Sequence, residues 1–168
     1  MDFREEIKPL VDQVRTWASA EPMTPLQRIL ALYDFKDPDK VPGGFAMWSP
    51  TCIGVTEVSA AEYHTDPYKF FYTQLTALNR YRHDLPILFS DVYNIEPEAC
   101  SSKVMYPEHS MPEIKDFAIK EPRDLDALKV PDPHRDGRMP YILEICRLYH
   151  EHLSDLFYAC PGGNAPFS

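Results

Sequence analysis

Residues 85–93, LPILFSDVY, are the stretch on which the fold prediction depends. They form an apolar run of strand length that ends at Asp91, and the turn-rich sequence NIEPEACSS follows at 94–102. A short apolar run bounded by turn residues is typical of a buried strand. The stretch therefore predicts a strand with a carboxylate at its carboxyl end.

Two more strands are predicted, one before and one after this stretch. The first is VPGGFAMW at 41–48, followed by the loop SPTCIG, and the other is LFYACPGGNAPFS at 156–168, which runs into a Gly-rich turn. Helices are predicted between the strands, and this alternation implies parallel, right-handed βαβ units. We therefore predict an α/β protein with N-terminal helices over 1–40 and the first three βα units over 41–168.

Apolar residues at helical spacing predict a peripheral helix over 3–17, which Pro9 should bend or interrupt. A second helix is predicted to begin at Pro25, with Thr24 as its cap. The stripe of this second helix that is expected to face the core consists of Leu26, Ile29, Leu30 and Tyr33.

Two later helices are predicted from the same signals. One begins at Pro67 after the cap Asp66, and the other covers 140–153. Their expected core-facing residues are Tyr68, Phe71, Leu75 and Leu78 in the first, and Ile142, Ile145, Cys146, Tyr149 and Leu153 in the second. Between 103 and 133 we expect an irregular surface excursion with one short helix in 124–130, capped by Asp124.

Three βα units are too few to close a barrel, because an eight-unit barrel needs about 250 residues and the chain has 168. We expect residues 1–168 to be a single incomplete domain, the N-terminal part of a TIM (β/α)8 barrel. An open parallel sheet exposes hydrogen-bonding edges and an apolar wall. The domain is therefore expected to form a homo-oligomer or to bind a complementing C-terminal chain.

The composition and charge of the chain argue against several classes of binding partner and location. A formal net charge of -9 and a pI near 5.1 argue against nucleic-acid binding, which needs clustered Lys and Arg. The acidic start MDFREEIKPL does not resemble a secretory signal, and no apolar run approaches the length of a membrane span. A cytoplasmic location is expected. The four cysteines are widely spaced, which favours reduced thiols.

Three stretches resemble uroporphyrinogen decarboxylase and its relatives, in the order in which that family has them. They are TPLQRILALYDFKDPDKVP at 24–42, LPILFSDVYNIEPEA at 85–99, and VPDPHRDGRMPYILEICRLYHEHLSD at 130–155 followed by CPGGNAPFS. The resemblance implies that Asp91 matches the family's aspartate at the end of the second strand, which faces the tetrapyrrole and contacts its pyrrole nitrogens.

Asp91 has a second interpretation. A carboxylate on the C-terminal rim of a barrel lies where active-site loops assemble, and it can stabilise positive charge or, when protonated, act as a general acid. The same carboxylate can instead cap the following NIEPEA turn by accepting its backbone amides.

The sequence also departs from the decarboxylases. They carry an arginine-rich motif after the first strand that neutralises the substrate's carboxylates, and the matching stretch at 43–54, GGFAMWSPTCIG, contains no Arg. The family's other branch moves methyl groups between a corrinoid and a thiol or related acceptor, and it lacks the motif too. That branch uses zinc to hold the thiol as a thiolate, with His and Cys ligands in a part of the fold beyond this chain.

The resemblance therefore implies a corrinoid-dependent methyltransferase that binds no cofactor through this chain alone and that works with a corrinoid or a corrinoid protein. Two alternatives are a uroporphyrinogen decarboxylase acting on a tetrapyrrole and a non-catalytic half-barrel that needs a partner chain. The residues expected around the substrate, in addition to Asp91, are Met47, Trp48, Tyr93, Asn164 and Phe167.

The remaining histidines and cysteines give little indication of a metal site. Cys146 and His150 have the i, i+4 spacing of a ligand pair, but core packing and solvent exposure explain them adequately. His64 and His83 lie in predicted loops or helix ends without ligand spacing.

Overall fold

The computed structural model describes residues 2–44, 54–88, 91 and 93–159. Half of the predicted strand 41–48, part of the strand 85–93 and most of the strand 156–168 lie outside the described residues. The parallel sheet therefore stays a prediction. Four expected substrate-site residues also lie outside the described residues: Met47, Trp48, Asn164 and Phe167.

Helices dominate the described part of the chain. In chain order the helices are α1 (Phe3–Ser19), α2 (Pro25–Tyr33), α3 (Ala60–Thr65), α4 (Pro67–Tyr81), α5 (Ile95–Ala99) and α6 (Met139–Leu153). A 3-10 helix (Pro122–Ala127) precedes α6, and the strands β1 (Lys103–Met105) and β2 (Glu113–Asp116) lie between α5 and that 3-10 helix. None of the described helices is both long and apolar enough to cross a membrane.

Helices α1, α4 and α6 pack together around the core. The predicted inner residues of α4 and α6 are confirmed, since Phe71 and Leu75 are fully buried and Tyr149 is nearly so. The ring of Phe71 meets that of Tyr149 edge to face at 5.3 Å, and Trp17 of α1 contacts Phe157 in the same way. Burial of this apolar layer supplies most of the driving force for folding.

The starts of the long helices follow their sequence signals. Asp66 accepts hydrogen bonds from the backbone amides of Tyr68 at 2.9 Å and Lys69 at 3.2 Å, so it caps α4 as predicted. The predicted interruption of α1 at Pro9 is wrong, because the helix continues through that residue. Proline removes one helical hydrogen bond, and burial of Val11 and Val14 in the core stabilises the helix on the far side of it.

Helix α2 begins as predicted, with Thr24 as its cap and Pro25 at its first position. Its predicted inner stripe is wrong in part, since Leu30 is 47% exposed and Tyr33 is 65% exposed. The fully buried side chain of α2 is instead Arg28. Charge, not apolar periodicity, decides which face of α2 turns inward.

Arg28 is buried because carboxylates surround its guanidinium. Its Nε donates to Asp39 Oδ1 at 2.6 Å, its Nη1 donates to Asp84 Oδ1 at 2.6 Å, and its Nη2 pairs with Glu21. Asp84 Oδ2 in turn accepts from the backbone amide of Gly43 at 2.8 Å. This set of residues, the Arg28 cluster, joins α2 to the start of the predicted strand 41–48 through Gly43 and to the residue before the predicted strand 85–93 through Asp84.

Three local elements differ from the sequence-based expectation. Helix α3 was not predicted, although Ser59 and Glu62 form a capping box at its start. Residues 95–99, expected in a turn, form the short helix α5. The excursion expected to be irregular contains the antiparallel ribbon β1–β2, whose register pairs Met105 with Glu113. The strands are only three and four residues long, too short for a clear alternation signal.

Asp124 does not cap the short helix in the predicted way. The 3-10 helix begins earlier, at Pro122, and Asp124 lies inside it. Its Oδ2 accepts from the backbone amides of Lys120 at 2.8 Å and Glu121 at 3.0 Å. The carboxylate therefore satisfies amides before the helix from a position within the first turn.

Substituting Arg28→Met should lower the free energy of unfolding by about 3 kcal/mol, because Asp84 would be left buried without its cation. Chemical denaturation of the purified chain measures this. Arg147→Met is the matched control: Arg147 pairs with Glu144 and Glu151 at the surface, and exposed pairs contribute little. Equal losses in the two variants would contradict the role given to Arg28.

Substituting Gly137→Ala should cost about 2 kcal/mol of stability. Gly137 has a left-handed φ of 54°, and a Cβ there would lie 2.7 Å from the backbone nitrogen of Ala99. In Gly43→Ala the new Cβ would meet nothing closer than Asp84 Oδ2 at 3.9 Å, so this control should be neutral or slightly stabilising. A Gly137→Ala variant as stable as the wild type would show that α5 can move away from this turn.

Candidate functional site

The carboxylate of Asp91 is buried, with 5% of the residue exposed. Its Oδ2 accepts from Arg138 Nη2 at 2.6 Å. Its Oδ1 accepts from Asn94 Nδ2 at 2.9 Å and from the backbone amide of Tyr93 at 3.2 Å. The last contact is the turn-capping interaction considered from the sequence, and the contact with Arg138 is an additional, charged one.

Arg138 is the residue that joins the parts of this site, and the sequence analysis missed it. It immediately precedes α6 and is buried. Its Nε donates to Glu98 Oε2 at 2.6 Å, and its guanidinium lies 4.8 Å from the centre of the Tyr106 ring. Asp91, Glu98, Tyr106 and Arg138 form what we call the Asp91 cluster.

The described hydrogen bonds at the Asp91 carboxylate are all donated to it. Arginine only donates, and the amide groups of Asn94 and Tyr93 that reach Asp91 are donors as well. Both carboxylate oxygens therefore face donors.

The Asp91 cluster carries a formal charge of -1. Asp91 and Glu98 contribute two negative charges and Arg138 one positive charge. Burial alone would lower the pKa of Arg138, but its hydrogen bonds to both carboxylates raise it above the usual range. Burial and the hydrogen bond to Glu98 raise the pKa of Tyr106, so its phenol stays neutral. The formal excess charge of the cluster is therefore negative.

His64 lies beside the Asp91 cluster at the end of α3. The residue has 0% exposure, and neither imidazole nitrogen has a hydrogen-bond partner among the described residues. Its backbone oxygen accepts from Arg138 Nη1 at 3.4 Å. Burial lowers the pKa of His64 to about 4, and the charges of Asp91 and Arg138 act on it in opposite directions. The imidazole is thus neutral at neutral pH.

His83 is a second buried histidine whose ring nitrogens have no partner among the described residues. It follows α4, next to Asp84 of the Arg28 cluster, and burial lowers its pKa to about 4 as well. The sequence analysis assigned no role to either histidine, because burial of a single histidine between polar neighbours leaves no periodic signal.

The other candidate residues lie apart from the Asp91 cluster. The Tyr93 residue is 70% exposed, and only its backbone contacts Asp91. Cys146 is half-buried in α6, which raises its pKa, whereas His150 is exposed. The described residues contain no group of three or more His, Cys, Asp or Glu side chains that could hold a metal ion. They therefore do not fit a zinc site.

Residues 24–168 match the model of the family described as uroporphyrinogen decarboxylase (URO-D). The chain belongs to this family. Its structure is similar to that of a methyltransferase from Methanosarcina mazei, with a TM-score of 0.70 and 22% sequence identity over 86% of this chain and 43% of that chain. At that identity the likeness shows a shared fold, and this chain spans less than half the length of that one. No curated protein matches the chain.

The whole Asp91 cluster lies within the residues that match the URO-D family. Arg138 belongs to the third of the stretches that resemble the family, and one physical signal could have found it. A cation at the start of a helix lies at the positive end of the helix dipole, which is unfavourable unless acidic groups compensate. An Arg directly before the apolar periodicity of α6 therefore indicates buried acidic partners elsewhere in the chain.

Stability should fall as the pH is lowered from about 6.5 towards 4.5. The pKa of both buried histidines is about 4 against an ordinary 6.5, so in this range the unfolded chain binds protons that the folded chain does not. Each histidine contributes at most about 1.4 kcal/mol per pH unit. The pKa of Glu62 is lowered to about 2 from an ordinary 4.5, which also stabilises the folded protein. That contribution is lost only below this pH range.

Denaturation curves recorded across that pH range test this effect. His64→Leu and His83→Leu should each flatten the slope of stability against pH, and the double variant should flatten it further. If the slope of the unfolding free energy against pH is unchanged in both single variants, the two imidazoles bind protons equally well in the folded and the unfolded protein.

Proposed function

We propose that this chain is part of a corrinoid-dependent methyltransferase that moves a methyl group between a corrinoid and a thiol or related acceptor. In this proposal the chain forms the first units of a (β/α)8 barrel, and Asp91 lies on the floor of the substrate pocket. Trp48, Met47, Tyr93, Asn164 and Phe167 remain proposed neighbours of the substrate. The rest of the barrel, and any corrinoid protein, would be supplied beyond these residues.

The observation that carries the proposal is the net negative formal charge of the Asp91 cluster, in which Asp91 and Arg138 are buried. A uroporphyrinogen brings several carboxylates, and each would have to leave water near fixed negative charge. The one buried cation of the cluster, Arg138, is already paired with two carboxylates, and residues 43–54 contain no Arg. A corrinoid carries uncharged carboxamides on its rim, so it avoids this cost.

The chemistry is also compatible with a fixed carboxylate. In methyl transfer the cobalt–carbon bond breaks, its electron pair stays on cobalt, and the methyl group forms a bond to the sulfur of the thiolate. A preorganised negative group stabilises positive charge that develops nearby and orients N–H donors of the ligand. Because the described residues do not fit zinc, no step in this proposal relies on zinc bound by them.

The structural neighbour supports the same branch of the family. That protein from Methanosarcina mazei is named a methyltransferase, and it shares the fold over 86% of this chain. A tetrapyrrole decarboxylase remains the rival, since an aspartate at this position suits pyrrole nitrogens as well. The two activities differ in substrate, so one pair of assays separates them.

The assays should use the longest natural reading frame that contains this chain. We expect methylcobalamin to be demethylated in the presence of a thiol, followed by the absorbance of the cobalt product, and we expect no decarboxylation of uroporphyrinogen. Asp91→Asn should lower kcat/KM about 100-fold, because it removes the charge and keeps the shape. Asp126→Asn, in the exposed part of the 3-10 helix, is the matched control and should change it less than about twofold.

Decarboxylation of uroporphyrinogen without methylcobalamin turnover would contradict the proposal. Folded protein that turns over neither substrate would instead favour the non-catalytic half-barrel. Equal effects of Asp91→Asn and Asp126→Asn on kcat/KM would show that Asp91 is not an active-site residue.

A further inference from the structure

His64 is a buried polar side chain with unused hydrogen-bonding capacity. Neither of its ring nitrogens has a partner among the described residues, and a polar group buried in this state lowers stability. The ring of His64 meets that of Tyr63 edge to face, with 5.1 Å between the ring centres. A neutral imidazole offers one N–H donor and one nitrogen acceptor, and both are left for a ligand.

The position of His64 places these free groups at the proposed active site. Its backbone oxygen accepts from Arg138, the residue that also holds Asp91. Helix α3 lies between the first predicted strand and α4, and Asp91 ends the second predicted strand. If the predicted strands form a parallel sheet, both residues lie on the side of it where barrel ligands bind.

We infer that His64 is a specificity-determining residue of the Asp91 site and that it hydrogen-bonds a neutral carboxamide on the rim of the ligand. This inference rests on the proposed function and names the chemical class that the site selects. The carboxamide N–H group is a donor for Asp91 or the imidazole nitrogen, and its C=O accepts from the imidazole N–H. A carboxylate at the same place carries no N–H donor for Asp91 or for the imidazole nitrogen. It is also repelled by the formal charge of -1 on the Asp91 cluster.

The neutral state of His64 is essential to this selection. A protonated imidazole would attract a carboxylate, whereas burial keeps His64 uncharged at neutral pH. The titratable and charged groups acting on it are Asp91 and Arg138. Corrinoids carry carboxamides on their rim and uroporphyrinogen carries carboxylates, so this one contact discriminates between the two classes of macrocycle.

His83 provides a matched control within the same chain. It is also buried, with 5% of the residue exposed, and its ring nitrogens lack a partner among the described residues. It lies at the other end of α4, a helix of 15 residues and thus about 22 Å long. Replacing either histidine with Leu removes a buried unsatisfied group. Both variants should therefore become more stable, and only His64→Leu should lose ligand selectivity.

The test compares binding of cobalamin with binding of its isomeric monocarboxylic acids, in which one rim carboxamide is hydrolysed. The wild-type protein should bind cobalamin about tenfold more tightly than at least one of these acids, which corresponds to about 1.4 kcal/mol. His64→Leu should abolish that preference and weaken cobalamin binding about tenfold, while raising the denaturation midpoint. His64→Gln, which keeps a donor and an acceptor, should restore most of the preference.

His83→Leu should raise the midpoint and leave the preference unchanged. The inference is overturned if the wild type binds every acid as tightly as cobalamin, if His64→Leu keeps the preference, or if His83→Leu loses it equally. Methylcobalamin turnover is read separately. If methylcobalamin is turned over but the preference for cobalamin does not depend on His64, this inference alone is overturned. If the preference depends on His64 but methylcobalamin is not turned over, the proposed methyl transfer alone is overturned.

Discussion

The buried ion pair between Arg138 and Asp91 connects the parts of this protein that the chain order keeps apart. An arginine cannot lose its proton in a protein, so once buried it must be surrounded by acceptors. Arg138 meets this requirement with Asp91 at the end of a predicted strand and Glu98 in α5, and it stacks on Tyr106 after β1. The start of α6, the turn after Asp91 and the ribbon are therefore held in one arrangement.

The same constraint acts at the Arg28 cluster. Arg28 draws together Glu21, Asp39 and Asp84 and, through Asp84, the backbone of Gly43. The two buried arginines thus fix the chain at both ends of α4, which separates His64 from His83. In this family member, charged groups position the connections, whereas apolar contacts between α1, α4 and α6 supply the bulk of the packing.

Sequence alone predicted what depends on neighbours along the chain. The caps Thr24 and Asp66 and the inner faces of α4 and α6 follow from residues a few positions apart. The buried arginines could not be found in that way, because 47 residues separate Arg138 from Asp91 and 56 separate Arg28 from Asp84. For the same reason the inner face of α2 was predicted wrongly in part. Hydrophobic periodicity depends only on the apolar residues of the helix, whereas Arg28 is buried through carboxylates that lie elsewhere in the sequence. Asp91 was selected through the family resemblance, and its partner was not.

The Asp91 cluster holds one more carboxylate than Arg138 needs. Glu98 alone would neutralise the guanidinium, and it also accepts from Tyr106, so its position is determined by the protein. With Asp91 present as well, the cluster keeps one formal negative charge in excess, and an excess charge beside the core costs free energy unless something compensates it. A ligand that presents N–H groups or developing positive charge would provide that compensation, and a ligand rich in carboxylates would add to the cost. The charge of one arginine between two acids therefore supports the proposed substrate class.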